Sequence, residues 1–197
     1  IILVKSLRAT ERVRDSIASF VEKKLFLKVN KEKTVIGTLF GKRYLGYTFY
    51  WLKEGRCGIT IHEKSKAKFH RELKAITKRS NGKGFRWLKE RLTEYTRGWI
   101  GYYYLADMKS FLQKTEQWYH RRLRSYIWKS WKRNRTRFKN LMKCGISRWW
   151  AWQWANTRKG YWRIADSWIL HRAITNEMLV SRGYPSLIGT YTKLHRN

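Results

Sequence analysis

The sequence predicts an α+β fold: a small sheet with one helix, then a three-helix bundle, then a mostly helical, basic C-terminal region. Three observations predict it. Strand-like runs bounded by glycine turns are confined to roughly the first sixty residues. After His62 the apolar residues recur at helical spacing instead. The 197 residues contain one proline, so long helices are not interrupted. A hydrophobic fraction of 43% with 12 Trp is enough to build a core, which excludes a disordered basic tail.

Ile1 to Val4 reads as a short buried strand. Ser6 stands at an N-cap position, and Val13, Ile17, Phe20 and Val21 carry a helix to about Lys24. Leu25 to Val29 and Val35-Ile36 read as extended, and Tyr44 to Trp51 as a strand with Gly46 inside it. Gly55 and Gly58 bracket a turn that returns Gly58 to Ile61 as a hairpin partner. Phe69, Leu73 and Ile76 mark the first bundle helix, which Ser80-Asn81-Gly82 breaks. Phe85, Leu88, Leu92, Tyr95 and Trp99 mark the second. Phe111, Leu112, Thr115, Trp118, Tyr119, Leu123, Tyr126 and Ile127 mark a third, expected to run past Trp131. Asp166 to Arg182 reads as the last helix, with Pro185 ending the ordered pattern. The boundaries fall near Lys64 and Arg137, giving segments 1–63, 64–137 and 138–197.

Charge narrows the partners. Lys and Arg number 45 against 13 Asp and Glu, a net charge of +32. A compact body with that charge repels itself unless a polyanion neutralises it. Nucleic acid is favoured, because counterion release from many phosphates drives binding. A membrane partner would call for an amphipathic helix with a clean apolar face and no other core, whereas the aromatics and charges are spread through the chain. From Gln117 to Ala165 there is no acidic residue, while those 49 residues hold 14 Lys or Arg and eight Trp. Arg121, Arg122, Arg124, Lys129, Lys132, Arg133, Arg135, Arg137 and Lys139 are the candidate phosphate contacts within it. A charge run is ordinarily a solvated face with both signs; the missing acids argue otherwise. The spacing of Trp128 and Trp131 favours a packed face over base stacking. Trp149, Trp150, Trp152 and Trp154 cannot all face one core, so some are expected to be exposed or covered by a partner.

Catalytic patterns are lacking. No Asp-Asp or D-x-D occurs, whereas two-metal phosphoryl chemistry needs carboxylates converging on ions ~4 Å apart. The five His show no ligand spacing, and Cys57 and Cys144 read as reduced thiols of a cytoplasmic protein. No metal site is therefore expected.

Ordered blocks of residues carry a resemblance. Lys28-Val29-Asn30-Lys31-Glu32-Lys33-Thr34 followed by Tyr44-Leu45-Gly46-Tyr47 resembles the late palm motifs of group II intron reverse transcriptases. Arg97-Gly98-Trp99-Ile100-Gly101-Tyr102-Tyr103 with Leu105-Ala106-Asp107, then Arg121 to Lys132, resembles their maturase-specific (domain X, or thumb) signature. Lys159 to Arg163 and Ala173 to Asn176 are similar to the C-terminal region of bacterial members. Trp168 departs from the pattern, where Pro is expected after the Ser.

The resemblance implies the end of a palm, a thumb and a DNA-binding tail without an H-N-H endonuclease. The catalytic Tyr-Ala-Asp-Asp turn would precede Ile1, so the chain is expected to be part of a longer protein, whose N-terminal half is one implied partner. Group II intron RNA and a DNA target are the others, with no membrane, in a bacterial cytoplasm. No cofactor is implied for this chain; Mg2+ is expected for the intact reverse transcriptase only. Lys33 would lie near nucleotide phosphates, Leu45 and Gly46 near the primer end, Arg97 at the RNA groove, and Arg158, Lys159, Tyr161 and Arg163 on DNA or RNA. Splicing assistance, and in the intact protein reverse transcription and intron mobility, follow as expectations. The alternative is a general basic nucleic-acid-binding module without reverse transcriptase ancestry.

Overall fold

The computed structural model describes residues 2–30, 34 and 36–195, the side chain of Glu54 excepted. Lys33 and Val35 lie outside these residues. Among the described residues the fold is mostly helical with one two-stranded sheet, the α+β arrangement the sequence predicts.

Helix α1 (Leu7–Lys24) starts where expected, with the Ser6 hydroxyl accepting from Ala9 N–H. It buries none of its residues. Residues 2–4 and 26–30 and Ile36 are in no strand, contrary to the extended elements read there. Apolar content alone does not make a strand; its N–H and C=O groups need a neighbouring strand, and Leu27 N–H instead donates to Val21 O at the end of α1 (3.2 Å). Phe26, 88% exposed, is left in water with the left-handed φ of 55°.

The sheet pairs β1 (Tyr47–Trp51) with β2 (Cys57–Ile61), antiparallel, from Tyr47↔Ile61 to Trp51↔Cys57, around a 3₁₀ turn at Lys53–Gly55. The strand expected from Tyr44 starts three residues later. Leu45 (φ 49°) and Gly46 (φ 88°) are the centre of a tight turn in which Tyr44 and Tyr47 exchange backbone hydrogen bonds of 3.0 and 2.8 Å. Positive φ at both central positions is the hairpin-turn geometry. Gly46 tolerates nothing larger, since a Cβ would lie 2.2 Å from the Tyr103 hydroxyl. Gly58 faces Tyr50 across the strands, and the Tyr50 ring occupies the space a Cβ would need.

Three helices follow: α2 (Glu63–Ile76), α3 (Phe85–Tyr102) and α4 (Lys109–Ser130). Their apolar stripes meet in Phe69, Leu73, Leu88, Leu92, Ile100, Leu112, Tyr119 and Leu123, all fully buried. Phe69 stacks on Trp99 at 3.9 Å between ring centres. The helix expected to pass Trp131 stops at Ser130, and Trp131 caps it with ψ 63°. The hairpin is tied to this bundle. Asp107 N–H donates to Ile59 O (2.8 Å), Tyr50 O–H to Asp107 Oδ2 (2.7 Å), and Ser65 O–H to Gly46 O (3.1 Å).

Six short helices complete the described residues: α5 (Asn134–Lys143), α6 (Arg148–Ala155), α7 (Tyr161–Ile164), α8 (Trp168–Ala173), α9 (Asn176–Ser181) and α10 (Leu187–His195). The single helix expected from Asp166 to Arg182 is therefore two. Ile174 leaves helical geometry (φ −130°, ψ 80°), and the Thr175 hydroxyl accepts from Met178 N–H to start α9. Pro185 does not end the order either. Ser186 follows it, and its hydroxyl accepts from Gly189 N–H at the start of α10, which is N-cap chemistry. Helix α10 returns to the bundle: Tyr191 O–H donates to Ala106 O (3.0 Å), and the buried Glu116 carboxylate accepts from Leu187 N–H (2.8 Å) at its positive end. One continuous core thus runs from Ile61 to Tyr191.

Candidate nucleic-acid interface

Helix α4 sorts the basic run by face. Arg124 points inward and is 3% exposed. Its Nε donates to Ile174 O (2.8 Å) and its Nη2 to Asn176 Oδ1 (2.7 Å), pinning the α8–α9 junction to the bundle. Burial lowers its pKa, partly offset by Asp166 and Glu177. Arg122 is half-buried and reaches the end of α2, donating from Nη2 to Lys74 O (2.9 Å) and Thr77 O (3.3 Å) and from Nε to the Thr77 hydroxyl. Arg121 donates twice to Trp162 O (3.3 and 3.0 Å), pairs with Asp166 (3.0 Å) and lies 4.2 Å from the Trp162 ring centre. These three arginines, read from sequence as RNA contacts, each donate at least two hydrogen bonds to protein acceptors. The physical reason is geometric: consecutive helix positions cannot share one face, and α4 is surrounded by α2, α7 and the α8–α9 junction.

The remainder of the run differs. Lys129 is half-buried, whereas Lys132, Arg133, Arg135 and Lys139 are exposed around the α4–α5 connection. Arg137 is half-buried; its Nε donates to Trp131 O (3.1 Å) and its guanidinium lies 4.9 Å from the Trp128 ring. Trp128 is core, as its spacing indicated. Arg97 is exposed on α3, at the end of the bundle where Trp99 meets Phe111. The α4–α5 cations lie beyond the opposite end, where Phe85 meets Tyr126, so Arg97 is not brought together with them.

The tail residues do join this end. Arg158 and Lys159 are exposed between α6 and α7, and Tyr161 and Arg163 on α7 itself. Lys159 lies over Trp154 (5.3 Å), and the Tyr161 ring has Arg79 on it at 5.2 Å and Arg137 at 6.0 Å. Sequence reasoning missed Arg79 and Lys74. Both sit more than forty residues before the run, and a cation near a helix end has no pattern that separates it from a solvated one. Of the tryptophan cluster on α6, Trp149 and Trp152 are 62% and 64% exposed, while Trp150 and Trp154 pack edge-on to Trp168. Leu45 is exposed, and Gly46 is buried beneath Tyr103.

No group of three or more His, Cys, Asp or Glu side chains comes together among the described residues, and none of their helices is long and apolar enough to cross a membrane. The arrangement is suited to holding a polyanion. Cations from the α4–α5 connection, α5 and the α6–α7 loop share one end of the bundle, with aromatic rings between them. Residues 66–145 match the family model of the group II intron, maturase-specific domain. The match runs from the first turn of α2 to Gly145, the turn residue after α5. No curated protein matches the chain.

Proposed function

We propose that this chain, which carries a group II intron maturase-specific domain at residues 66–145, binds the folded RNA of its intron and assists splicing. One observation carries the reading beyond the domain match. The exposed cations Lys132, Arg133, Arg135, Lys139, Arg158, Lys159 and Arg163 fall within the acid-free stretch from Gln117 to Ala165. Phosphates are the complementary charge, and each contact releases condensed counterions. Assistance needs no reacting side chain: a protein that binds the folded RNA more tightly than misfolded forms shifts the population toward it. Reverse transcription, Mg2+ binding and insertion at a DNA target belong, in this reading, to a polypeptide that also carries the palm carboxylates. An N-terminal half of the same protein would then cover α1, which buries none of its own residues. A general basic nucleic-acid module accounts for the charge equally well but not for the match at 66–145.

The test is a salt series of binding to a structured group II intron RNA and to a scrambled RNA of equal length. The expected result is tighter binding to the structured RNA and a log–log salt slope steeper than about −4, from five or more neutralised phosphates. Affinity that stays flat from low to moderate salt defeats the reading; equal affinity for both RNAs favours the general module.

A further inference from the structure

A pocket of about 340 Å3 opens where the end of α2, the middle of α4 and the start of α7 meet. Lys74, Thr77, Arg79, Arg122, Ser125 and Trp162 line it, together with Trp118. No carboxylate is among the lining residues. Trp118, Arg122 and Ser125 follow one another at four- and three-residue steps on one face of α4. The pocket is a built one. His70 stacks flat on Trp118 at 5.0 Å and an interplanar angle of 8°, and the Arg122 guanidinium lies 5.1 Å from the Trp118 ring centre. Arg122 is further fixed by the carbonyls of Lys74 and Thr77, cancelling the partial negative charge of the α2 C-terminus that would otherwise repel an anion.

Two features remain without a structural use. Lys74 and Arg79 project cations to the pocket rim with no hydrogen bond or ion pair to the described protein, Arg79 resting only on the Tyr161 ring. Ser125 is 1% exposed, yet its Oγ has no hydrogen-bond partner. A buried hydroxyl without a partner costs on the order of 1–3 kcal/mol, and a helical serine ordinarily escapes that cost by bonding the preceding turn.

We propose that this pocket takes one phosphodiester group of the RNA, held by Lys74, Arg79 and Arg122 and by the Ser125 hydroxyl, with the attached base against Trp162. The proposal rests on the RNA-binding reading and gives it an address on the protein. An aromatic wall beside a phosphate-sized set of cations is the recurrent way an unpaired nucleotide is held, and the volume lies in the range of small-ligand pockets. Arg121 already covers one face of Trp162 at 4.2 Å and keeps its ring in place.

The experiment uses the full chain and three variants. Lys74→Ala/Arg79→Ala removes the two rim cations. Ser125→Ala removes only the orphan hydroxyl. Arg12→Ala/Lys24→Ala on α1 removes the same charge far from the pocket. The rim double should bind structured RNA about tenfold more weakly than the α1 double. Ser125→Ala should bind about threefold more weakly than wild type with an unchanged or raised melting temperature; a merely structural serine would leave affinity alone. Should the rim double match the α1 double and Ser125→Ala match wild type, the pocket is not an RNA subsite. Should the wild-type chain bind no RNA, the broader reading fails instead. Titration of the labelled chain with adenosine 5′-monophosphate and with inorganic phosphate then decides the pocket. Shifts of the Ser125 amide and Trp162 indole signals, larger with the nucleotide, keep it as a nucleotide site; unmoved signals remove it.

Discussion

At the scale of single residues, the basic run shows that charge type does not determine role; burial does. Arg124 and Lys132 belong to the same stretch, yet one is locked between α4 and the α8–α9 junction and the other faces water. The neighbour of that lock, His120, is also buried, and burial together with the Arg124 charge pushes its pKa down to about 4, Glu177 opposing. The consequence has a definite sign. The unfolded chain takes up the proton near the ordinary value of ~6.5, the folded chain only near 4. Stability is therefore complete above about pH 6.5 and is lost as pH falls toward 4, by about 3 kcal/mol in all. His70, lowered by its own burial, adds in the same direction. Urea unfolding at pH 7, 5.5 and 4.5 checks this. The wild type should weaken across the series, and His120→Gln should show a flatter profile. Parallel profiles would mean that His120 does not titrate with folding.

At the scale of elements, α1 and the bundle are held by different amounts of buried surface. Phe69, Leu73, Leu88 and Leu92 lock α2 to α3, while Ile17 and Phe20 of α1 stay exposed and no α1 residue is buried. Since helices in proteins owe most of their stability to tertiary packing, the amides of α1 should exchange within seconds to minutes, while those of α3 and α4 should be protected by close to the global stability. Hydrogen exchange read by mass spectrometry distinguishes the two. Equal protection would require contacts for α1 that its exposure denies. The same contrast explains what was legible in the sequence. The apolar periods that locate α2, α3 and α4 are long and face a core made by those helices themselves, so local pattern and tertiary packing agree. The extended readings at 2–4 and 25–29 rested on composition alone, and strands depend on partners that composition does not reveal. The division at Ile174 escaped because Thr175 reads as an ordinary helix interior until its hydroxyl is seen capping α9. Ser186 carries the capping signal for α10, and Pro185 directly before it masks that signal in the sequence. Of the interface, the α5 and tail cations were visible as an acid-free run. The pocket was not, because Lys74, Arg79 and Ser125 converge only through the packing of α2 against α4.

At the scale of the whole molecule, the charge imbalance sets how stability responds to salt. The ion pairs formed by the described residues, such as Arg86–Glu90 (2.9 Å) and Arg91–Glu94 (3.3 Å), are mostly solvent-exposed, and pairs of that kind contribute about 0–1 kcal/mol each. Against them stands the repulsion among 45 Lys and Arg balanced by only 13 Asp and Glu. Screening over a Debye length of roughly 10 Å at 0.1 M weakens both, but the repulsive terms are far more numerous. Raising sodium chloride from about 0.02 to 0.3 M should therefore raise the melting temperature, by a few degrees for each kcal/mol of repulsion relieved in a chain of this size. Chloride is the anion of choice for this measurement, since phosphate would also occupy the cationic pocket and add stability by binding. Structured RNA at low salt should raise the melting temperature further, because a ligand that prefers the folded state stabilises it by mass action. That increment should shrink as chloride rises. The two salt effects thus oppose each other: the free protein gains from ions that its complex loses. A melting temperature that falls with added chloride in the absence of RNA would show that the surface cations are already neutralised within the chain, and the acid-free stretch would lose its claim on a polyanion.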